Sequence, residues 1–591
     1  MNGTTRSPTG DPAAAEILRN ALMVAAEEAS IVVVKSAYSS FVVEGSDASA
    51  AILDVRGRLV AQSAATTLAH GGSLRASIGA ILEDHPASSM CPGDVFAMND
   101  VYRGGIHAND ILIFRPVFVG TEVAYFSGTL IHVADIGGLS AGGIAAGATE
   151  VFLEGVQLPP VRIATCDGLV DDIMRTLALN SRAPESVLGD VRALIAGANV
   201  AAKRIERLVT QYGRAAFDAG VDDYLDYAES RMRSGLAALT DGVYRGSYVV
   251  DDDGIHPGLS YTVRVTVTVE DDHVIVDFEG TDDQVRASIN CGFSQAISAA
   301  MFGVRCFVDG TIPMNEGCFR PVEFRLPRGS LVNPTPPHAA GGRSIVMSAA
   351  IDAIIEALSA AQPHLAIAAS GLLHSYAMAP VSSAGRRWLQ MAYEYGGLGG
   401  RRGSDGPDAT GIHFGLARNT IAQLEPIETR CPLVIESKEY IVDSGGPGRW
   451  RGGMGVRTVF RLLDDAVVTT RSDRMRYPPV GREGGSAGRA GRYLRVRPDG
   501  IEIELASKTS NHVFDRGDRF VVETSGGGGL GDPFTRDPDA VLRDLRDGRV
   551  TRGSVERDYR VAIDADADSD AVDVRATTAL RGAGLRGERN G

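Results

Sequence analysis

Two histidines and two aspartates stand between residues 107 and 135, in a stretch otherwise rich in glycine and apolar residues. His107 precedes Asp110 by three residues, and His132 precedes Asp135 by the same spacing after a strand-length apolar run. Imidazole nitrogens and carboxylate oxygens form the mixed ligand set that suits Zn²⁺, Mn²⁺ or Fe²⁺. The spacing predicts two turns at strand ends that converge on one divalent metal ion.

A plainer interpretation of each pair is a surface loop or a hydrogen bond between an imidazole and a carboxylate. The same pair at both ends of a predicted strand pair favours the metal site over two unrelated loops.

Three further side chains are candidates for chemistry beside such a metal. His70 stands in a glycine loop before a predicted helix, and Glu44 and Asp47 are the only acids in an otherwise uncharged segment. One of these acids could complete the metal shell while the other holds or deprotonates a water. A solvated pair of loop acids is the alternative.

Nucleotide chemistry is not expected from this chain itself. The glycines at 526, 528 and 531 satisfy G-x-G-x-x-G, but Pro533 follows at once and no helix is predicted to begin there. The sequence has no G-x-x-x-x-G-K-S/T motif. Any use of ATP would therefore depend on another chain.

The bulk composition limits the kinds of partner and compartment. The chain has 591 residues, 44% of them apolar, and a formal net charge of −15, which argues against nucleic acid or an anionic membrane as the main partner. The six cysteines are scattered without C-x-x-C, so neither a disulfide framework nor a thiolate zinc site is expected. No signal-peptide pattern and no apolar run of the ~18 residues needed for a membrane span is evident. We expect a cytoplasmic protein.

The order of predicted elements indicates an α+β protein of mixed, multi-domain architecture, since one core does not accommodate this length. Asp11 and Pro12 mark a helix start, and the alternation around residues 271–272 indicates a hairpin. Between residues 390 and 535 the chain is glycine-rich and strand-like. The expected parts are a β-rich metal-binding N-terminal region (1–170), a helical segment (171–241), an α+β domain (242–365), a glycine-rich and mostly β domain (366–563) and a disordered tail (564–591).

Several longer motifs connect these candidates to a known family. They include E-G-S-D-A-S (44–49), H-G-G-S (70–73), N-D-V-Y-R-G-G-I-H-A-N-D-I (99–111), H-V-A-D-I-G-G (132–138), T-E-V-F-L-E-G-V-Q-L-P-P (149–160) and G-G-G-G-L-G-D-P (526–533). With these motifs the chain resembles the hydantoinase B family, the B-type subunits of ATP-dependent hydantoinases and 5-oxoprolinases, to which acetone and acetophenone carboxylase subunits also belong. The resemblance extends from residue 11 to about residue 563.

The resemblance implies roles for named residues. It implies that His107, Asp110 and His132 bind the metal, with Glu44 as a further ligand, and that Asp47 and His70 act in catalysis. The implied substrate-binding residues are Tyr38, Asn99, Asp100 and Tyr102. One departure is His132-Val133-Ala134-Asp135, where relatives often read H-H-A-D.

The resemblance also implies a reaction shared between two subunits. An A-type ATPase partner would phosphorylate a lactam, hydantoin or 5-oxoproline, and this chain would hydrolyse the activated cyclic amide with its divalent metal, as part of a hetero-oligomer. The same-class alternative is a subunit of an ATP-dependent ketone carboxylase. The other alternative is a non-catalytic scaffold for the A-type partner.

Overall fold

The structure is a computed structural model that describes residues 11–63, 69–381, 388–410, 423–564 and 571–587. Its first helix begins at Pro12 behind Asp11, whose carboxylate accepts hydrogen bonds from the N–H groups of Ala13 and Ala14. The N-terminal elements are α1 (Pro12–Ser36), α2 (Ser40–Gly45), β1 (Ala48–Asp54), β2 (Leu59–Gln62), α3 (Ala69–Asp84), β3 (Val95–Met98), β4 (Asp110–Val119), β5 (Glu122–His132), β6 (Val161–Thr165) and β7 (Gly168–Leu169).

These strands form a seven-stranded antiparallel sheet in the order β2-β1-β5-β4-β3-β6-β7. Three helices follow: α4 (Asp171–Leu179), α5 (Pro184–Tyr212) and α6 (Arg214–Leu236). Residues of α1, α4 and α5 share buried clusters with this sheet, for example Val191 with Ile113. The predicted helical segment therefore packs directly on the N-terminal sheet.

The other face of the N-terminal sheet shares one large core with the middle of the chain. Phe114 and Phe126 of the sheet lie in the same buried cluster as Val265 and Ile354. The middle elements are β8 (Gly242–Val250), β9 (Tyr261–Glu270), β10 (His273–Asp277), α7 (Phe293–Arg305), α8 (Glu316–Phe319), β11 (Val322–Arg325) and α9 (Ser344–Ala361). The strands form the sheet β11-β10-β9-β8, and β9 and β10 make the predicted hairpin.

Two antiparallel sheets enclose an aromatic core in the C-terminal part. One has the order β13-β12-β16-β19 and the other β14-β15-β20-β17-β18, and Tyr376, Phe460 and Phe520 pack between them. Their elements are β12 (Leu373–Pro380), β13 (Gln390–Tyr395), α10 (Leu424–Arg430), β14 (Leu433–Tyr440), β15 (Val456–Leu462), β16 (Ala466–Arg471), β17 (Arg492–Val496), β18 (Glu502–Leu505), β19 (Lys508–Phe514) and β20 (Arg519–Glu523).

The glycine runs between these strands, expected to be strand-like, form a bundle of extended segments around residues 526–530. The N–H donors and their carbonyl acceptors are Gly526 to Arg489, Gly527 to Gly453, Gly528 to Ala369, Gly529 to Ser486 and Leu530 to Trp450. N–H groups three residues apart bond the same neighbouring segment: Gly526 and Gly529 bond residues 486–489, and Gly527 and Leu530 bond residues 450–453. Three residues is the period of a polyproline II helix, whereas a strand has a period of two. Glycine is required because segments meet backbone to backbone, and a Cβ on Gly527 would lie 2.0 Å from the Leu398 oxygen.

The C-terminal end differs from the predicted disordered tail. It contains α11 (Pro538–Arg546), α12 (Arg552–Tyr559), β21 (Ile563–Asp564), β22 (Ala571–Val572) and α13 (Val574–Gly587). The Thr577 hydroxyl on α13 accepts a hydrogen bond from the Ala562 N–H, and Val572 packs against a small cluster that contains Val555 and Tyr559. The small and acidic residues of this tail, which could not form a core alone, thus pack against the preceding helices.

One helix among the described residues, Ser344–Ala361, is long and apolar enough to cross a membrane by length and composition, and 83% of that stretch is buried. The α+β, multi-domain fold class is confirmed by the solved structures compared below. The domain boundaries at residues 170, 241, 365 and 563 stay predictions.

Candidate metal centre

The strand register brings the three predicted metal ligands together. Asp110 begins β4 and His132 ends β5, and the two residues are direct partners in the antiparallel pair. His107 lies in the turn before β4, where its carbonyl accepts a hydrogen bond from the Asp110 N–H. A second backbone bond, from the Val133 N–H to the Asn109 carbonyl, extends the pairing beyond the strand ends. The triad, defined as His107, Asp110 and His132, is thus built on one hairpin.

Three ligand atoms of the triad form a nearly equilateral triangle. His107 Nε2, Asp110 Oδ1 and His132 Nδ1 are 3.1 Å apart in each pair. With metal–ligand bonds of about 2.1 Å, donors at right angles would lie about 3.0 Å apart and tetrahedral donors about 3.4 Å apart. The residues therefore fit a divalent ion held on one face, the two-histidine, one-carboxylate arrangement that leaves other coordination positions open.

The electrostatics of the triad favour metal ligation. All three residues are at most 3% exposed. Burial, reinforced by the nearby Arg343 guanidinium, lowers the pKa of His107 to about 3, so its imidazole is neutral and can coordinate a metal. Burial opposes ionisation of Asp110, but His107 and Arg343 together hold the pKa of that carboxyl well below its usual range.

Arg343, which precedes α9, orients the carboxylate of the triad. Its Nη2 donates to Asp110 Oδ2 at 2.9 Å, so the other oxygen, Oδ1, stays directed at the two imidazoles. Hydrogen bonds of this kind fix metal ligands and tune their affinity. Nothing in the local pattern around residue 110 indicated this partner, because it lies more than 200 positions along the chain.

Asp47 and His70 lie beside the triad, as the prediction of a shared site requires. His70 Nε2 is 3.9 Å from Asp47 Oδ1, and His70 Nδ1 is 2.8 Å from the Ser49 hydroxyl. Burial raises the pKa of Asp47 and lowers that of His70, and both groups also interact electrostatically with Asp110. The Glu44 side chain, predicted as a further ligand, lies outside the described residues.

The predicted substrate-binding residues make other contacts in the structure. Asn99 is fully buried, and its amide bonds the backbone of Ala108, Val156 and Leu158. The Asp100 carboxylate accepts from the Tyr102 N–H, and the Tyr102 hydroxyl donates to the His338 carbonyl. These three side chains shape the loop that leads to His107, and substrate contact by them stays a prediction.

Tyr38 is 68% exposed and lines a cavity of about 980 Å³ together with Trp388, Met391 and Ala134. Asp135, the second acid of the H-V-A-D segment, is turned away from the triad. Its carboxylate instead holds the following loop, through the Gly137 and Gly142 N–H groups, and pairs with Arg182.

Besides Arg343, the sequence patterns gave no role to three other residues near the triad. Glu154 accepts from the Gly341 N–H at 2.5 Å, and Arg471 Nη1 donates to the Gly341 carbonyl. Tyr393 on β13 is partly buried, and burial, with Asp47 and Asp110 nearby, raises its pKa. Glu154 lies within the 149–160 motif, which was its one available signal; Arg471 and Tyr393 had none.

Comparison with known proteins places this architecture in a family. Residues 11–533 match the hydantoinase B/oxoprolinase family. The putative B-type D-/L-hydantoinase subunit of Pseudomonas sp. (strain NS671) is 30% identical over 97% of this chain and 98% of that protein. The chain therefore belongs to the hydantoinase B/oxoprolinase family.

Two solved structures share the fold. The ATP-dependent caprolactamase from Pseudomonas jessenii superposes with a TM-score of 0.88 at 26% identity, covering 97% of this chain and 100% of that one. Nucleotide-free acetone carboxylase superposes with a TM-score of 0.89 at 21% identity, covering 99% of this chain and 84% of that one. At that identity, the second likeness concerns the fold alone.

Proposed function

We propose that this chain is a metal-dependent B-type subunit of an ATP-dependent hydrolase of cyclic amides. In this proposal a separate A-type subunit uses ATP to phosphorylate a lactam, hydantoin or 5-oxoproline, and this chain hydrolyses the activated ring. The observation that carries the proposal is the triad geometry, three buried ligand atoms 3.1 Å apart. Support comes from relatives whose names describe a hydantoinase subunit and an ATP-dependent caprolactamase.

The triad supplies the ligands and Arg343 holds the carboxylate in place. A divalent ion bound there would supply Lewis-acid chemistry, by lowering the pKa of water and polarising a carbonyl oxygen. Ligation needs a neutral imidazole and an ionised carboxylate. Burial, with Arg343, keeps the His107 imidazole neutral, whereas His107 and Arg343 keep the Asp110 carboxylate ionised against the effect of burial.

Asp47 and His70 are the groups we assign to proton transfer beside the triad. Burial keeps His70 uncharged, and the Ser49 hydroxyl holds one of its ring nitrogens. The other ring nitrogen faces Asp47 at 3.9 Å, a separation that a water can bridge. A carboxyl whose pKa is raised by burial exchanges protons closer to neutral pH than an ordinary aspartate.

The first experiment measures metal content. Chain purified without chelator should hold about one divalent ion, and His107→Ala should lose it while remaining folded. His256→Ala is the matched control, since it removes an imidazole 2.8 Å from the Asp253 carboxylate outside the triad. Native protein without stoichiometric metal would instead favour the scaffold alternative.

The second experiment measures the reaction. The chain is mixed with its A-type partner, ATP and each of caprolactam, a hydantoin and 5-oxoproline, and ring opening is followed with phosphate release. Ring opening that requires His107 supports the hydrolase. Bicarbonate-dependent consumption of a ketone, without ring opening, would replace it with the carboxylase.

A further inference from the structure

Two arginines from distant parts of the chain lie beside the triad. Arg343 touches it directly, through the bond to Asp110. Arg471, at the end of β16, is 3% exposed and interacts electrostatically with Arg343, Asp110 and Glu154. Burial, with the charge of Arg343, lowers the pKa of Arg471.

The guanidinium groups keep part of their hydrogen-bonding capacity unused. The Nε atoms of Arg343 and Arg471 are buried without a hydrogen-bond partner among the described residues, as is Oε2 of Glu154. A buried, unpaired polar atom is costly, and more so on a charged group. Glu154 and Arg471 both bond Gly341, which precedes Arg343 by two residues, so the three side chains come together at this segment. Their unpaired atoms indicate a place shaped for a polar ligand.

The net charge of the groups around Arg343 and Arg471 indicates the sign of the ligand's charge. The described carboxylates that interact with the two arginines are Asp47, Asp110 and Glu154. If all three are ionised, they still carry less charge than two guanidinium groups and a divalent ion together. Burial raises the pKa values of Asp47 and Glu154, which only increases the positive excess. Buried charge without a counter-charge is strongly unfavourable.

We propose that Arg343 and Arg471 form an oxyanion subsite next to the triad, which binds a phosphoryl or carboxylate group of the ligand. Planar guanidinium groups match both kinds of oxyanion with paired hydrogen bonds. Glu154 opposes the excess positive charge and holds Gly341, the residue that Arg471 also bonds. This inference rests on the proposed metal centre, and it adds the part of the site that receives the anionic end of the substrate.

The test titrates inorganic phosphate and, separately, acetate into the Mn²⁺-loaded chain by calorimetry. Arg471→Met should weaken binding of the preferred anion at least about tenfold, the size expected for a lost charged hydrogen bond. Glu154→Gln keeps an oxygen for the Gly341 N–H but removes a negative charge, so it should tighten binding several-fold. Tighter binding of phosphate identifies a phosphoryl subsite, and tighter binding of acetate a carboxylate subsite.

Controls separate the subsite from the metal centre. Arg457→Met removes a guanidinium that pairs with Glu523, outside the proposed subsite, and should leave both affinities unchanged. Should Arg471→Met fail to fold, the Glu154→Gln measurement decides alone. If both variants hold a full complement of metal and bind the anions as tightly as the native chain does, the proposed subsite is wrong and the proposed function is unaffected. Failure of the native chain to hold metal overturns the proposed function before any anion is added.

Discussion

Replacing Gly527 by alanine should destabilise the protein severely, because the glycine bundle has no space for a side chain. The added Cβ would lie 2.0 Å from the Leu398 oxygen and 2.4 Å from its carbonyl carbon. Both obstructing atoms are backbone, so the cost should reach or exceed the upper end of overpacking, about 3 kcal/mol. Displacing the segment would also strain the bonds from Gly527 to Gly453 and from Gly446 to Gly527, at about 1 kcal/mol each. The sum is about 5 kcal/mol.

The same substitution at Gly79 provides the control. Gly79 is exposed inside α3, and a Cβ there meets nothing within 4 Å. Alanine should therefore stabilise the helix by about 0.5–1 kcal/mol. Denaturant midpoints of the two variants and the native chain, with soluble yield, measure the difference. A Gly527→Ala midpoint equal to that of the native chain would refute the backbone-contact reasoning.

Three further predictions concern the site. Arg343→Gln should weaken Mn²⁺ binding about 10–100-fold in equilibrium dialysis, since Asp110 loses its support; unchanged affinity would contradict the orienting role. Asp47→Asn should keep the metal but lower hydrolysis with the A-type partner by about 10²-fold or more; loss of the metal would make Asp47 a ligand. Burial raises the pKa of Glu154 to about 7, so the stability it contributes is full below pH ~4.5 and is lost as pH rises through 7. The metal-free Glu154→Gln variant and the metal-free native chain are unfolded at the same series of pH values. The unfolding free energy of the variant, relative to that of the native chain, should rise by about 3 kcal/mol from pH 4.5 to 8, and a difference that does not change with pH would exclude this titration.

The triad could be predicted because its chemistry is local. His107, Asp110 and His132 lie within 26 positions on one hairpin, and the apolar run between them already indicated a strand pair. Ligand type and spacing were therefore enough to bring the three together. The helix start at Asp11 was predictable for the same reason, because an N-cap bonds its own first turn.

The residues around the triad were not predictable, because their positions follow from packing between distant segments. Arg343 reaches Asp110 across 233 positions, and Arg471 reaches Gly341 across 130. No periodicity links such pairs. Asn99, for which the resemblance implies substrate contact, bonds the buried backbone of the loop with its amide. No local pattern indicated that contact, and substrate binding by Asn99 stays a prediction.

The glycine bundle shows a different limit. Pattern reasoning distinguishes periods of 2 and 3.6 residues by alternating side chains, and a run such as 526–529 has no side chains to alternate. Its three-residue period exists only in the partners of its N–H groups. The glycine-rich region was expected to be strand-like, whereas the structure uses repeated glycine to pack backbone against backbone.

The surroundings of the triad are built from three parts of the chain. The hairpin carries all three ligands of the triad, but the charges around those ligands come from the middle and the C-terminal parts of the chain. Arg343 comes from the segment before α9, and Arg471 and Tyr393 come from the first C-terminal sheet. That sheet is joined to the bundle through backbone bonds such as Gly396 to Leu372 and Gly397 to Ser525. The bundle therefore acts on the site through position: it fixes the strands that place a guanidinium and a phenol beside the triad. A substitution such as Gly527→Ala, remote in sequence from every ligand, should for this reason impair the site as well as the fold.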